Sequence, residues 1–339
     1  MKTSARQSVH AKIARAFNRR VLLGVACVML GAAPPAVHAQ APYPARPVTL
    51  LVPYNAGGST DLMARVVAQH LGQVLGKPVV VENRGGVGST LGTGVVAKAA
   101  PDGYTLLMSN GAAITTGPLL GQRISYDPLS DFTHIMLLGT MPNGFIVRKD
   151  SPAKDFKQFL ELARASGGRL NYGSAGVGSI GFLTGEMLKQ KAHIEMTHVP
   201  YKGTGPAMTD LIGGQIDVLF NNLGVAFAQV KAGNARVLAV SGTKRLPEFP
   251  DVPTMNEFVP GVVGETWFGI AGPKGMPPEI ANKLKSALET VIQKPEVRKQ
   301  LSDAGLVVSG MTGAEFGNFL TTEHERWDVV IKPLGVKLD

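Results

Sequence analysis

From Pro44 onward, short β-branched runs alternate with amphipathic stretches, and this rhythm narrows the possible folds more than any other feature of the 339-residue chain. A run of about five apolar residues followed by a helical stretch is the building unit of an α/β fold with a largely parallel sheet. Residues 48–52 predict a strand, and residues 61–75 a helix with Leu62, Val66, Val67 and Leu71 on its apolar face. Residues 79–82, 91–99 and 105–108 continue as strand, helix and strand, the last after the turn Pro101-Asp102-Gly103. Residues 135–139 and 145–148 read as two strands. Between them Met141-Pro142-Asn143-Gly144 marks the crossing into a second lobe. There 170–172, 196–199, 218–220 and 237–240 predict strands, and 182–190 and 207–212 predict helices. Residues 267–271 return the chain to the first lobe, and helices are expected over 278–293, 296–304 and 314–331. Pro277-Pro278 stands where proline suits a helix start.

The net charge of +9 is misleading until its position is checked. Lys2, Arg6, Lys12, Arg15, Arg19 and Arg20 lie in the first 39 residues, which hold no acid; 28 basic and 25 acidic side chains remain. No Lys/Arg run with interleaved aromatics follows, so no nucleic-acid partner is expected. The head reads instead as an export signal, residues 1–39. Its basic stretch ends at Arg19-Arg20, an apolar run covers 21–30, and small residues lead to Val37 and Ala39 at the cleavage positions. Ala39-Gln40-Ala41 is an alternative cleavage frame. The apolar run is shorter than the about 20 residues a bilayer span needs. Arg19-Arg20-Val21-Leu22-Leu23 resembles a twin-arginine signal, with Asn18 as a departure, so that route and the general secretory one both stay open. Cys27, the one cysteine, lies inside the signal; the mature chain has no disulfide, thiolate metal site or cysteine nucleophile.

Two glycine-rich loops carry the candidate chemistry. In the first, 52–61, Tyr54, Ala56, Gly57, Gly58, Ser59 and Asp61 follow a strand and open a helix. Such a junction offers free amides and the positive end of a helix dipole, a ready anion site; a plain helix cap is the alternative. In the second, 172–181, Ser174, Gly176, Gly178 and Ser179 occupy the same kind of junction. Gly176, Gly178 and Gly181 also match G-x-G-x-x-G, but the next strand ends Thr197-His198-Val199-Pro200-Tyr201-Lys202, without the acid a dinucleotide ribose needs. A nicotinamide-linked oxidoreductase is therefore a weak rival. There is no G-K-[ST], no H-E-x-x-H and no G-x-S-x-G, and the histidines lack metal-ligand spacing. No cofactor and no metal are expected.

Several motifs run in order through nearly the whole mature chain. They include Tyr43-Pro44-Ala45-Arg46-Pro47-Val48, Val52-Pro53-Tyr54-Asn55-Ala56-Gly57-Gly58, Val81-Glu82-Asn83-Arg84 and Ala100-Pro101-Asp102-Gly103-Tyr104-Thr105. Tyr126-Asp127-Pro128, Tyr172-Gly173-Ser174-Ala175-Gly176, Val199-Pro200-Tyr201-Lys202-Gly203 and Asp251-Val252-Pro253-Thr254 continue the series. Together they resemble the periplasmic receptors of tripartite tricarboxylate transporters, the Bug family.

The resemblance implies a type II periplasmic-binding-protein fold, two α/β lobes joined by two crossovers around a ligand cleft. Lobe 1 would hold residues 40–142 plus 264–339, and lobe 2 residues 143–263. It implies a monomeric, non-enzymatic receptor whose two loops grip one carboxylate of a small ligand, partly through water, and which meets membrane transporter subunits transiently. A receptor feeding a membrane sensor kinase is the alternative. Two departures fall on the family's distal ligand contacts: Phe182 stands where His is common, and Phe220-Asn221-Asn222 where Phe-Asp-Asn is frequent. Because Asn221 is neutral, the expected ligand lacks an ammonium group. That leaves a di- or tricarboxylate, or an aromatic carboxylate against Phe182, Trp267 or Phe268.

Overall fold

The expected elements recur in order among the described residues, joined by helices over 156–166 and 223–231 and a strand over 307–312 that the apolar rhythm does not predict. The computed structural model describes residues 43–86, 89–201 and 203–338, so the export signal lies outside the described residues, as does the side chain of Ser59. The first half contains β1 (Val48–Val52), α1 (Ser59–Leu75), β2 (Val79–Asn83), α2 (Thr90–Ala97) and β3 (Thr105–Asn110). A π-helical turn (Ala112–Thr116) and the short α3 (Gly117–Leu119) lead to β4 (Phe132–Arg148). Then come α4 (Phe156–Ser166), β5 (Asn171–Ser174), α5 (Ile180–Ala192), β6 (Thr197–Pro200), α6 (Thr204–Ile212), β7 (Val218–Asn222), α7 (Leu223–Lys231) and β8 (Ala235–Val240). The chain ends with β9 (Glu265–Pro273), α8 (Pro278–Gln293), α9 (Pro295–Asp303), β10 (Val307–Thr312) and α10 (Gly313–Leu334).

The strands are ordered β2-β1-β3-β9-β4-β7-β5-β6, with β8 and β10 also paired to β4. β1 is parallel to β2 and β3, and β5 to β6 and β7, as short helical crossovers require. The two strands expected either side of residues 141–144 are in fact one 17-residue strand. Through Pro142 it pairs with β9; from Asn143 it pairs with β7. Proline breaks no ladder here because it sits where the partner strand changes, a position that tolerates a missing N–H.

The second crossover is fastened to the first by Ser241. Its amide donates to the Asn143 carbonyl (2.8 Å), its hydroxyl accepts from the Asn143 amide (2.8 Å) and donates to the Gly264 carbonyl. Val48, Leu50, Leu106 and Met108 bury one sheet face under Met63, Val67 and Leu71 of α1. Leu51, Leu107 and Trp267 bury the other under Phe316 and Leu320 of α10. Further along, Trp327, Val330 and Ile331 of the same helix join the core of the second half, with Phe145, Tyr172 and Phe220.

Candidate functional site

The strand directions bring both glycine loops toward one place. β9 is antiparallel to β3 and to β4, so β3 and the first part of β4 run the same way. β7 runs against the second part of β4, pairing Asn222 with Asn143. The carboxyl ends of β1 and β3, and of β5 and β7, therefore all point toward the Pro142–Asn143 junction. Ligands of open α/β sheets bind outside such strand ends.

In the first loop, Gly57 has φ +94°, a conformation that favours glycine, and a side chain at Gly57 or Gly58 would meet nothing within 4 Å. Ala56, Gly57 and Gly58 are exposed. Asp61 is not: its carboxylate is buried and accepts from the Gly57 amide (2.9 Å), Arg65 Nε (3.0 Å) and Asn83 Nδ2 (3.0 Å). The Arg65 guanidinium, helped by these amides, holds its pKa below the ordinary carboxylate value. Asp61 thus shapes the loop from behind rather than offering itself to a ligand. Tyr54 does similar work, donating its hydroxyl to Asn110 Oδ1 at 3.1 Å.

The second loop is tied at Gly176, whose φ is +127°. Its carbonyl accepts from the hydroxyls of Ser174 (3.1 Å) and Ser179 (2.7 Å), and its amide donates back to Ser174 Oγ (3.2 Å). Ser179 then caps α5 by accepting from the Phe182 amide (3.2 Å). The Ser179 hydroxyl is spent inside the loop, and that of Ser174 on Gly176 and on His198 of β6. Among the described residues the amides of Val177 and Gly178 meet no acceptor, nor do those of Ala56 and Gly58 in the first loop. Backbone, not hydroxyl, is what these loops present. Phe182 is buried in the second core, with its ring 4.7 Å from that of His198.

Four neighbouring strands carry a set of buried donors that sequence reading named only in part. Asn221 is buried; its Oδ1 accepts from the Asn222 amide (2.7 Å), while its Nδ2 has no partner among the described residues. Asn143 Nδ2, Asn110 Nδ2 and Trp267 Nε1 are equally unpartnered and buried. These four side chains stand on β7, β4, β3 and β9, four consecutive strands of the sheet. Asn110 could have been found by the rule that found the loops, since it ends a strand and precedes Gly111. The roles of Asn143 and the Trp267 nitrogen depend on sheet order, which no local pattern carries. A cavity of about 150 Å³ lies between α7 and the α9–β10 turn, lined by Leu223, Phe227, Leu306 and Val307, none of them a candidate site residue.

Two parallel-stranded halves joined through β4 and the 241–264 segment, with paired strand-end loops, define a solute-binding receptor of the type II periplasmic class. A family model described as the tripartite tricarboxylate transporter family receptor matches residues 63–336, and the chain belongs to that family, the Bug proteins. It is 34% identical over 298 residues to Protein BugT of Bordetella pertussis, covering 87% of this chain and 91% of that one. A solved structure of Rpa4515 from R. palustris with adipate superposes with a TM-score of 0.76 at 32% identity, covering 87% of this chain and 99% of the other. MatC from Rhodopseudomonas palustris with bound malate gives 0.71 at 33%, covering 85% and 100%.

Proposed function

We propose that this receptor captures a small organic acid without an ammonium group, a di- or tricarboxylate or an aromatic carboxylate, and delivers it to the membrane subunits of a tripartite tricarboxylate-type transporter. The observation that carries the reading is the pairing of unpartnered loop amides with buried, unpartnered and uncharged donors at Asn110, Asn143 and Asn221. Such groups suit ligand acceptors at both ends, whereas an ammonium buried beside them would lack a counter-charge. The relatives solved with malate and adipate support the same ligand chemistry.

A thermal-shift panel tests it. Malate, adipate, citrate or terephthalate, at about 100 times its dissociation constant, should stabilise the protein by about 2.7 kcal/mol. Stabilisation by aspartate or glutamate, with none by these four acids, would overturn the assignment. Delivery to a transporter requires export, with cleavage after Ala39. Mass spectrometry of the periplasmic pool should find an N-terminus at Gln40 or within about two residues of it. A pool that still begins at Met1 would remove this part of the reading.

A further inference from the structure

We infer that His198 is a positioning residue for the second glycine loop, fixing through the Ser174 hydroxyl the turn whose amides meet the carboxylate. The inference rests on the reading of that loop given above. His198 lies on β6 opposite Tyr172 of β5, and Ser174 follows two residues later on β5. Alternation along a strand puts Ser174 on the same face as Tyr172, and hence beside the histidine. There Ser174 Oγ is 2.8 Å from His198 Nε2.

Ser174 is fully buried, and its hydroxyl already meets the amide and the carbonyl of Gly176. One hydrogen and two lone pairs serve at most three neighbours, so nothing remains for a ligand. The serine is a strut, and His198 is what it stands on.

From there the contacts form a closed circuit. His198 Nε2 meets Ser174 Oγ; Ser174 meets Gly176; the Gly176 carbonyl accepts the Ser179 hydroxyl at 2.7 Å; Ser179 Oγ accepts the Phe182 amide at 3.2 Å. The Phe182 ring then returns to the His198 ring, 4.7 Å away. Val177 and Gly178, with their free amides, sit inside this circuit. The imidazole also packs against the Tyr172 ring, 4.8 Å away. Tyr172 is itself held by its hydroxyl on Glu186 Oε1 (2.6 Å), and Glu186 by Lys189 (3.0 Å). Packing against both rings restricts the imidazole, whose polar contact is the one to Ser174. Burial pulls its pKa down to about 4, with Glu186 opposing and Lys189 reinforcing the shift, so it is neutral where the receptor works.

The test uses two polar replacements that differ only in reach. Glutamine places an amide near the position of Nε2, and asparagine falls short of it. In calorimetric titrations with adipate and malate, His198→Asn should bind about 10- to 100-fold more weakly than wild type, and His198→Gln within about threefold of it. Ser174→Ala should match His198→Asn, and the double variant should be no weaker than the worse single one. Hydrogen exchange of ligand-free protein should quicken at the bonded amides of Gly176, Ser179 and Phe182 in His198→Asn but not in His198→Gln. Equal losses in both histidine variants, or exchange unchanged in both, would make His198 a packing residue and overturn the proposal. If wild type bound no carboxylate at all, the ligand reading would fall, and the exchange comparison would still decide the role of His198.

Discussion

Gly181→Ala should cripple the receptor, destabilising it by about 3 kcal/mol, at the upper end of what overpacking usually costs, and lowering carboxylate affinity well beyond that of any loop-tip variant. An added Cβ would stand 2.3 Å from the Phe220 carbonyl oxygen and 3.1 Å from its carbonyl carbon. Both neighbours are backbone atoms of β7 in the middle of the sheet, so no rotamer change relieves the clash. α5 must move off β7, and it takes with it the Gly178–Ser179 turn on one side and the spacing to Asn221 on the other. Gly58→Ala is the matched control. Its φ is −85° and its Cβ would meet nothing within 4 Å, so stability should stay within about 0.5 kcal/mol of wild type. Urea midpoints of the two variants, measured beside wild type, check the contrast. A Gly181→Ala protein as stable as Gly58→Ala would mean that the helix does not approach the strand so closely.

This contrast shows where the sequence was legible and where it was not. The strand–loop–helix junctions at 52–61 and 172–181 could be read directly, because glycine clusters after a β-branched run have few other uses. Which atoms those loops offer could not. Asp61, Ser174 and Ser179 are the polar residues a sequence reader assigns to a ligand, yet each is consumed holding its own loop. A side chain near a ligand and a side chain shaping the backbone near a ligand leave the same mark in a single sequence. The strand–helix order was equally clear wherever apolar runs were long. It failed at β10, whose residues are mostly half-exposed, whose Gly310 has φ +98° and whose register slips between Val308 and Met311. It failed also at Pro142, where a residue that normally ends a strand is accommodated by a change of partner. The α4 helix was not among the expected ones although it carried a readable signal, with Asp155 capping the Gln158 amide at 2.8 Å and Phe156, Phe159, Leu160 and Ala163 buried.

Glu265→Gln should stabilise the protein at pH 8 and leave it nearly unchanged at pH 4. Glu265 opens β9 next to the Ser241–Gly264 tie, nearly buried, and accepts the Thr140 hydroxyl at 3.0 Å. From α10, Glu323 faces the same spot, itself buried and paired with Arg326 and with the Trp327 indole nitrogen. Two carboxylates therefore share one guanidinium. Burial first, and then the charge of Glu323, push the Glu265 pKa from the ordinary 4.5 to about 7, against the opposing pull of Thr140 and Arg326. Between those two values the folded protein holds a proton that the unfolded chain has released. Stability must then fall as pH rises through this window, and the full penalty is present above pH 7. At 1.36 kcal/mol per pKa unit, the penalty is about 3 kcal/mol. Glutamine keeps an acceptor for Thr140 and cannot ionise, so it removes the penalty without opening a cavity. The stability gain of the variant, taken from urea unfolding at pH 4, 5, 6, 7 and 8, should grow from near zero at pH 4, through about 1 kcal/mol at pH 5, toward that figure. Parallel pH curves for the two proteins would show that Glu265 titrates normally, and that the crossover between the two halves carries no buried proton.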